Sequence, residues 1–288
     1  MSNFYNFFVS ICFFFFVSIL EILVKISIIK DMAYLFSFKK FAGFDRVFRS
    51  RGDFWNPWDL LETADDLVLH LGEEVAFPEM YVQTYPEVSM KVLVPGFFDQ
   101  RFLSFVHWMV YEWYSSYKNV MKYFMSMEVE QLLLRESKVK VSRSSPLRST
   151  PPTPLQNGEA QTLLIFPDNW TRVNMLRAES WKIKTESQGF VIPQDNLQLF
   201  STDTQNKKDI NWWTIKKGLV QTIVATQSEV FQPFSVLKKI IFVDPQKWYY
   251  NNQQDPRYSL PRVVEKMAEL YGAEVVEIKN RGTLAFEE

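Results

Sequence analysis

The chain has 288 residues, 47% of them apolar, and a net charge of -1. That apolar share is enough for a packed core and excludes wholesale disorder, while the balanced charge excludes a polyanion binder driven by a global basic excess. One cysteine, Cys12, and two histidines, His70 and His107, exclude an intrachain disulfide, a cysteine-based zinc or iron–sulfur site and a His-rich metal centre. Neither a cofactor nor a bound metal is therefore expected.

Residues 4–29 are almost wholly apolar, with a phenylalanine run from Phe13 to Phe16. As a helix at 1.5 Å per residue, about 26 residues span a hydrocarbon core of roughly 30 Å with some tilt. The two charges inside it, Glu21 and Lys25, sit at i and i+4 with the acid first, the favourable order for a helical ion pair. Met1–Asn6 lacks a basic residue and no small-residue cleavage pattern follows, so a retained anchor helix over 1–31 is predicted in preference to a cleaved signal. The competing expectation is a helix buried in partners of a large assembly. Lys30, Lys39, Lys40, Arg46, Arg49 and Arg51 follow the segment, and no basic residue precedes it. The positive-inside rule then puts the body of the protein on the cytoplasmic or matrix side, where disulfides are rare. Phenylalanine runs of this kind accompany T-rich organellar genomes, so the mitochondrial inner membrane is the expected location.

Residues 32–137 are expected to form an aromatic-rich helical region. Residues 53–59 read as a loop with Pro57 in the first turn of a helix. Leu60, Leu61, Ala64, Leu67, Val68 and Leu71 then trace a stripe of 3.6-residue period. A short strand is predicted over 88–94, stopped by Pro95-Gly96. Residues 97–135 contain no glycine or proline and predict one long helix, crowded with aromatics but interrupted by Asp99, Arg101, Glu112, Lys118 and Lys122. Those charges argue against a second span. They fit an interfacial helix or one buried against partner helices. Phe105, Trp108, Tyr111 and Trp113 are the candidate partner-interface residues.

Residues 138–161 are basic and rich in Ser, Thr and Pro, and are predicted to be a linker or extended arm. Residues 162–288 are predicted to be a small α/β domain. Short strands are expected at 162–166, 182–184 and 190–192, with a buried β-branched strand at 219–225. The end of the chain predicts a βαβ-type unit: a strand at 239–244, a helix at 259–271 with Ser259 as N-cap and Gly272 past its end, and a strand at 273–279. The fold class expected is α+β.

Few constellations point to chemistry. Asp66 and His70 would share a face if 60–71 were helical, a geometry that can hold a metal, but a polar face with a satisfied histidine fits as well. His107 and Glu112 are at i and i+5 and do not meet on a helix. Asp244 stands at the end of a predicted strand, where ligands of open α/β sheets gather, but the following Pro245 also fits a plain turn residue. The sequence holds no nucleotide-binding glycine motif, no nucleophile elbow and no His-Glu-x-x-His. Asn169-Trp170-Thr171 is a formal sequon on the side without glycosylation. Lysine doublets at Lys207-Lys208, Lys216-Lys217 and Lys238-Lys239, with Trp212, Trp213, Trp248, Tyr249 and Tyr250 between and after them, resemble a single-strand RNA recipe. Core tryptophans beside a solvated lysine face fit equally. The leading expectation is a non-catalytic structural subunit of a membrane-bound assembly, a respiratory-chain complex first among them. Its partners are protein subunits and membrane lipid. The alternatives are an RNA-contacting organellar ribosomal protein and a membrane-tethered enzyme.

Overall fold

The computed structural model describes residues 32–39, 47–51, 56–72, 83–84, 89–139, 160–177, 182–184, 189–191 and 196–278. The expected anchor at 1–31 and the linker residues 140–159 lie outside them. Among the described residues no helix is long and apolar enough to cross a membrane. The fold mixes helices with two main sheets, as the α+β expectation has it. The chain divides into two compact units, 1–97 and 98–288.

The first unit carries a six-stranded sheet of order β5-β2-β1-β4-β3-β6, where the strands are β1 (Met32–Ser37), β2 (Val47–Arg51), β3 (Leu60–Glu62), β4 (Leu67–Gly72), β5 (Gln83–Thr84) and β6 (Lys91–Val94). All neighbours are antiparallel except β2 and β5. The helix expected over 60–71 is instead a β-hairpin. Leu61 faces Val68 and Leu60 faces Leu69 across it. Thr63 makes the turn: its amide donates to the Asp66 carbonyl at 2.9 Å, and its hydroxyl oxygen accepts from the Asp66 amide at 2.9 Å. Every residue of β4 is buried, so both of its side-chain rows are covered. A strand buried on both faces loses its alternation, and its apolar run can mimic a helical stripe. Pro57 is also not a helix start. It lies in a turn closed by the Asp59 amide on the Asn56 carbonyl at 3.2 Å, with Trp58 at φ +80° in the position that usually takes glycine. Asp59 holds this turn, accepting from the Asn56 amide at 3.1 Å and the Gly96 amide at 2.8 Å.

The second unit is built on a five-stranded parallel sheet of order β10-β11-β7-β12-β13, from β7 (Gln161–Ile165), β10 (Leu197–Gln198), β11 (Thr222–Ala225), β12 (Leu237–Val243) and β13 (Glu274–Ile278). A separate antiparallel pair joins β8 (Lys182–Lys184) to β9 (Gly189–Val191). Leu164, Phe166, Val224, Ile241 and Val243 form the sheet core, with Val276 and Ile278 against it. The predicted terminal unit is present: β12, a helix at Leu260–Tyr271, then β13 parallel to β12.

The long helix expected over 97–135 is three helices, α1 (Gln100–Glu112), α2 (Tyr117–Phe124) and α3 (Val129–Glu136). Serines break the run without glycine or proline: the Ser116 hydroxyl oxygen accepts from the Asn119 amide at 3.1 Å and caps α2. The remaining helices are α4 (Asn169–Arg177), α5 (Gln205–Lys216) and α6 (Leu260–Tyr271). α1 packs on α6 and α3 on α5. The Trp212 indole donates to the Phe124 carbonyl and the Trp213 indole to the Leu132 carbonyl, each at 2.7 Å. The helices expected to group with residues 32–96 therefore belong to the α/β unit, because these buried indoles and the aromatic face of α1 complete its core.

Candidate functional site

Two features of the second unit carry functional information, a cleft at one edge of the parallel sheet and the turn that ends α1. The cleft lies where β10 and β11 end, the carboxyl edge at which open parallel sheets bind ligands. It encloses about 270 Å³. Its walls come from the end of α2 (Tyr123, Phe124), from Leu199 and Phe200 after β10, from the first turns of α5 (Lys208, Asp209, Asn211) and from Ser228 and Glu229 after β11.

Its carboxylates are already engaged. Glu229 accepts from the hydroxyls of Thr226 and Ser228. Asp203 pairs with the Lys207 ammonium at 2.8 Å. Asp209 accepts from the Gln205 amide at 2.7 Å; burial pushes its pKa up, against the pull of that hydrogen bond and of the Arg135 charge. Donors are less well served. Asn211 is 7% exposed and, among the described residues, its Nδ2 finds no acceptor. Behind the wall of Leu199 and Phe200 lies Arg172, the largest of the fully buried side chains, at 0% exposure. Its Nη1 donates to the Leu199 carbonyl at 2.5 Å and its guanidinium stacks on the Phe200 ring at 3.8 Å. Among the described residues its Nε and Nη2 have no partner. Burial lowers the Arg172 pKa, opposed by the charges of Glu229 and Asp203. Arg172 is placed by α4, whose start is fixed by Asp168 accepting from the Thr171 amide at 2.6 Å.

At the end of α1 the chain turns through a Schellman motif. The Tyr114 amide donates to the Tyr111 carbonyl at 3.4 Å and the Ser115 amide to the Val110 carbonyl at 3.1 Å. Tyr114, at φ +48°, occupies the left-handed position that such turns usually give to glycine, and is 95% exposed. The turn is clamped from the far side by Asp255, which accepts from the Ser115 hydroxyl and the Asn119 side-chain amide, each at 2.6 Å.

The four residues predicted for a partner interface divide here. Phe105 is 2% exposed and is spent on the interior, against Phe124 and Phe231. Tyr111 is 66% exposed. Trp108 and Trp113 are half-buried and meet edge to face at 4.7 Å. The other constellations do not assemble as drawn. Asp66 lies in a turn and accepts from the Ser37 hydroxyl, while His70 is in β4 with its Nδ1 2.8 Å from the Asn56 carbonyl, so no helix brings them together. Among the described residues no cluster of histidine, cysteine and carboxylate side chains could hold a metal. His107 is held neutral by burial, its pKa pushed down to about 4. Asp244 ends β12 at φ +51°, buried, its amide donating to the Ile278 carbonyl at 2.7 Å. It does not line the cleft.

Lys216 and Lys217 lie over the Trp212 and Trp213 rings, at 5.8 and 5.5 Å, but those rings are buried and present no open stacking face. Trp212 and Trp213 are interior, and α5 puts Lys207-Lys208 and Lys216-Lys217 at opposite ends of one helix. Lys217 pairs with Glu136 and Lys239 with Glu274. Trp248 is widely exposed, at 78%. Sequence reasoning missed Arg172, Asn211 and Tyr114. Their only sequence signals were position after a strand, two residues past Asp209, and a break in a glycine-free helix. No protein-family model matches the chain and no curated protein is similar to it.

Proposed function

We propose that the chain is a non-catalytic structural subunit of a membrane-bound multiprotein assembly, of the respiratory-chain kind and organellar, and that the end of α1 is a docking point for a partner subunit. Tyr114 carries this reading. A left-handed backbone costs a residue with a side chain roughly 1 kcal/mol, a strain that glycine avoids. Here the strain is borne by a tyrosine whose ring faces solvent and packs against nothing that would repay it. Strained backbone concentrates at functional positions, and tyrosine is a favoured interface anchor because a large ring is fixed by only two torsions. Tyr111, one turn earlier, is also exposed, and Trp108 and Trp113 on the same stretch are half-buried. The apolar segment at 4–29 and the basic residues after it support the membrane-bound setting.

The test is native purification of the tagged full-length chain from membranes, with wild type and Tyr114→Gly compared. The expected result is co-migration of wild type with other protein subunits and at least tenfold less co-purifying partner with the variant. A chain that runs alone, that carries RNA in place of protein partners, or that assembles equally well as Tyr114→Gly would overturn the reading.

A further inference from the structure

We infer that the cleft at the carboxyl ends of β10 and β11 binds a small metabolite through an oxyanion, a phosphoryl or carboxylate group taken up by the Nε–Nη2 edge of Arg172 and the Asn211 side-chain amide. This stands apart from the assembly reading and does not depend on it.

The argument is an accounting of buried polar groups. A buried donor without an acceptor is costly, and native proteins leave few of them. The carboxylates of the cleft are satisfied: Glu229 by two hydroxyls, Asp203 by Lys207, Asp209 by Gln205. Among the described residues, Asn211 Nδ2 in the wall and Arg172 Nε and Nη2, beside the wall residues Leu199 and Phe200, are buried donors without an acceptor. What completes the site is therefore an acceptor. Nε and Nη2 form one edge of the guanidinium plane, and that edge matches two oxygens of a carboxylate or phosphate. The third nitrogen is held by the Leu199 carbonyl and the guanidinium face by the Phe200 ring, so the free edge is held in one orientation before a ligand enters. The cleft lining carries Lys122 and Lys208 together with Asp203, Asp209 and Glu229, so the attraction for an anion comes from the unpartnered donors and not from a net positive lining. The site lies at the carboxyl edge of a parallel sheet, where such ligands collect. A volume of about 270 Å³ is at the small end of ligand pockets, which limits the guest to a small metabolite. Arg172 has no exposed surface and does not itself line the cleft, so binding requires the Phe200 ring to move, with the Leu199 carbonyl left to hold the guanidinium.

The experiment measures thermal melting of the purified full-length chain with inorganic phosphate, with succinate, and with chloride at matched ionic strength. A rise of about 3 °C over chloride at tenfold excess over Kd is expected for at least one of the two oxyanions. Phosphate alone would identify a phosphoryl ligand and succinate alone a carboxylate. Arg172→Met removes the edge while filling the space, and the rise should vanish. Asn211→Ala should weaken the apparent affinity about threefold or more, and it keeps the test decisive if Arg172→Met does not melt cooperatively. No rise over chloride with either anion overturns the inference. So does a rise unchanged in Arg172→Met, or, where that variant does not fold, one unchanged in Asn211→Ala.

Discussion

Helices α1 and α6 end in the same way with opposite residues. Both stop on a residue in the left-handed conformation, Tyr114 at φ +48° and Gly272 at φ +62°. At Gly272 a Cβ would meet nothing within 4 Å, so space does not explain the glycine; the backbone angle does. The angle makes the same demand at Tyr114, and there the sequence meets it with a large ring held out in solvent. Gly272 is what folding alone selects. Tyr114 departs from that choice at a position where the departure costs stability, so its explanation lies outside the isolated fold.

The largest expected effect loosens α1 and leaves α6 alone. His107 sits in α1 with its ring edge-on to Tyr117 at 5.5 Å, and burial holds its pKa at about 4, below the ordinary 6.5. A histidine buried neutral adds stability that is complete above pH 6.5 and is lost as the pH falls from there through 4. The shift corresponds to about 3 kcal/mol. Urea titrations of wild type and His107→Phe between pH 7 and 4 should diverge by about that amount, the variant being the less acid-sensitive. Parallel curves would show that the imidazole is not buried neutral. Second in size is Gly272→Val. A β-branched residue at this angle should cost about 2 kcal/mol in the melting of the α/β unit and leave partner binding at α1 unchanged. A loss below about 0.5 kcal/mol would remove the contrast between the two helix ends.

How much of this could be read beforehand differs between the units for a physical reason. The βαβ-type end was legible because each signal was local: β-branched Ile240 and Ile241 in β12, proline in the first turn of α6, Gly272 after it. The hairpin at 60–72 was not, because β4 is buried on both faces and shows no alternation. The unbroken helix over 97–135 failed for another reason. The first of its breaks is a tyrosine in a glycine position followed by the Ser116 cap, and neither residue type is a strong stop signal. The cleft was least legible. Arg172, Asn211 and Glu229 come from three segments that only the order of the parallel strands brings together, and none lies in a recognisable motif.

The smallest expected effects separate the ring of Tyr114 from its backbone. Tyr114→Gly relieves the left-handed strain and should raise stability by about 1 kcal/mol, less the entropy that glycine adds to the unfolded chain. Tyr114→Ala removes the ring but keeps a Cβ at the same angle, so stability should change by less than about 0.5 kcal/mol. Both variants lack the phenol and should lose partner binding alike. The pair therefore distinguishes two accounts of the exposed tyrosine. If it serves docking, stability follows the backbone and binding follows the ring. If the ring instead packs on its own chain in solution, Tyr114→Ala is the damaging change, lowering the melting temperature while Tyr114→Gly leaves it near wild type. Melting curves and partner pull-down on the same two proteins decide between them, and a Tyr114→Phe variant that binds normally would show that the ring face, and not the hydroxyl, makes the contact.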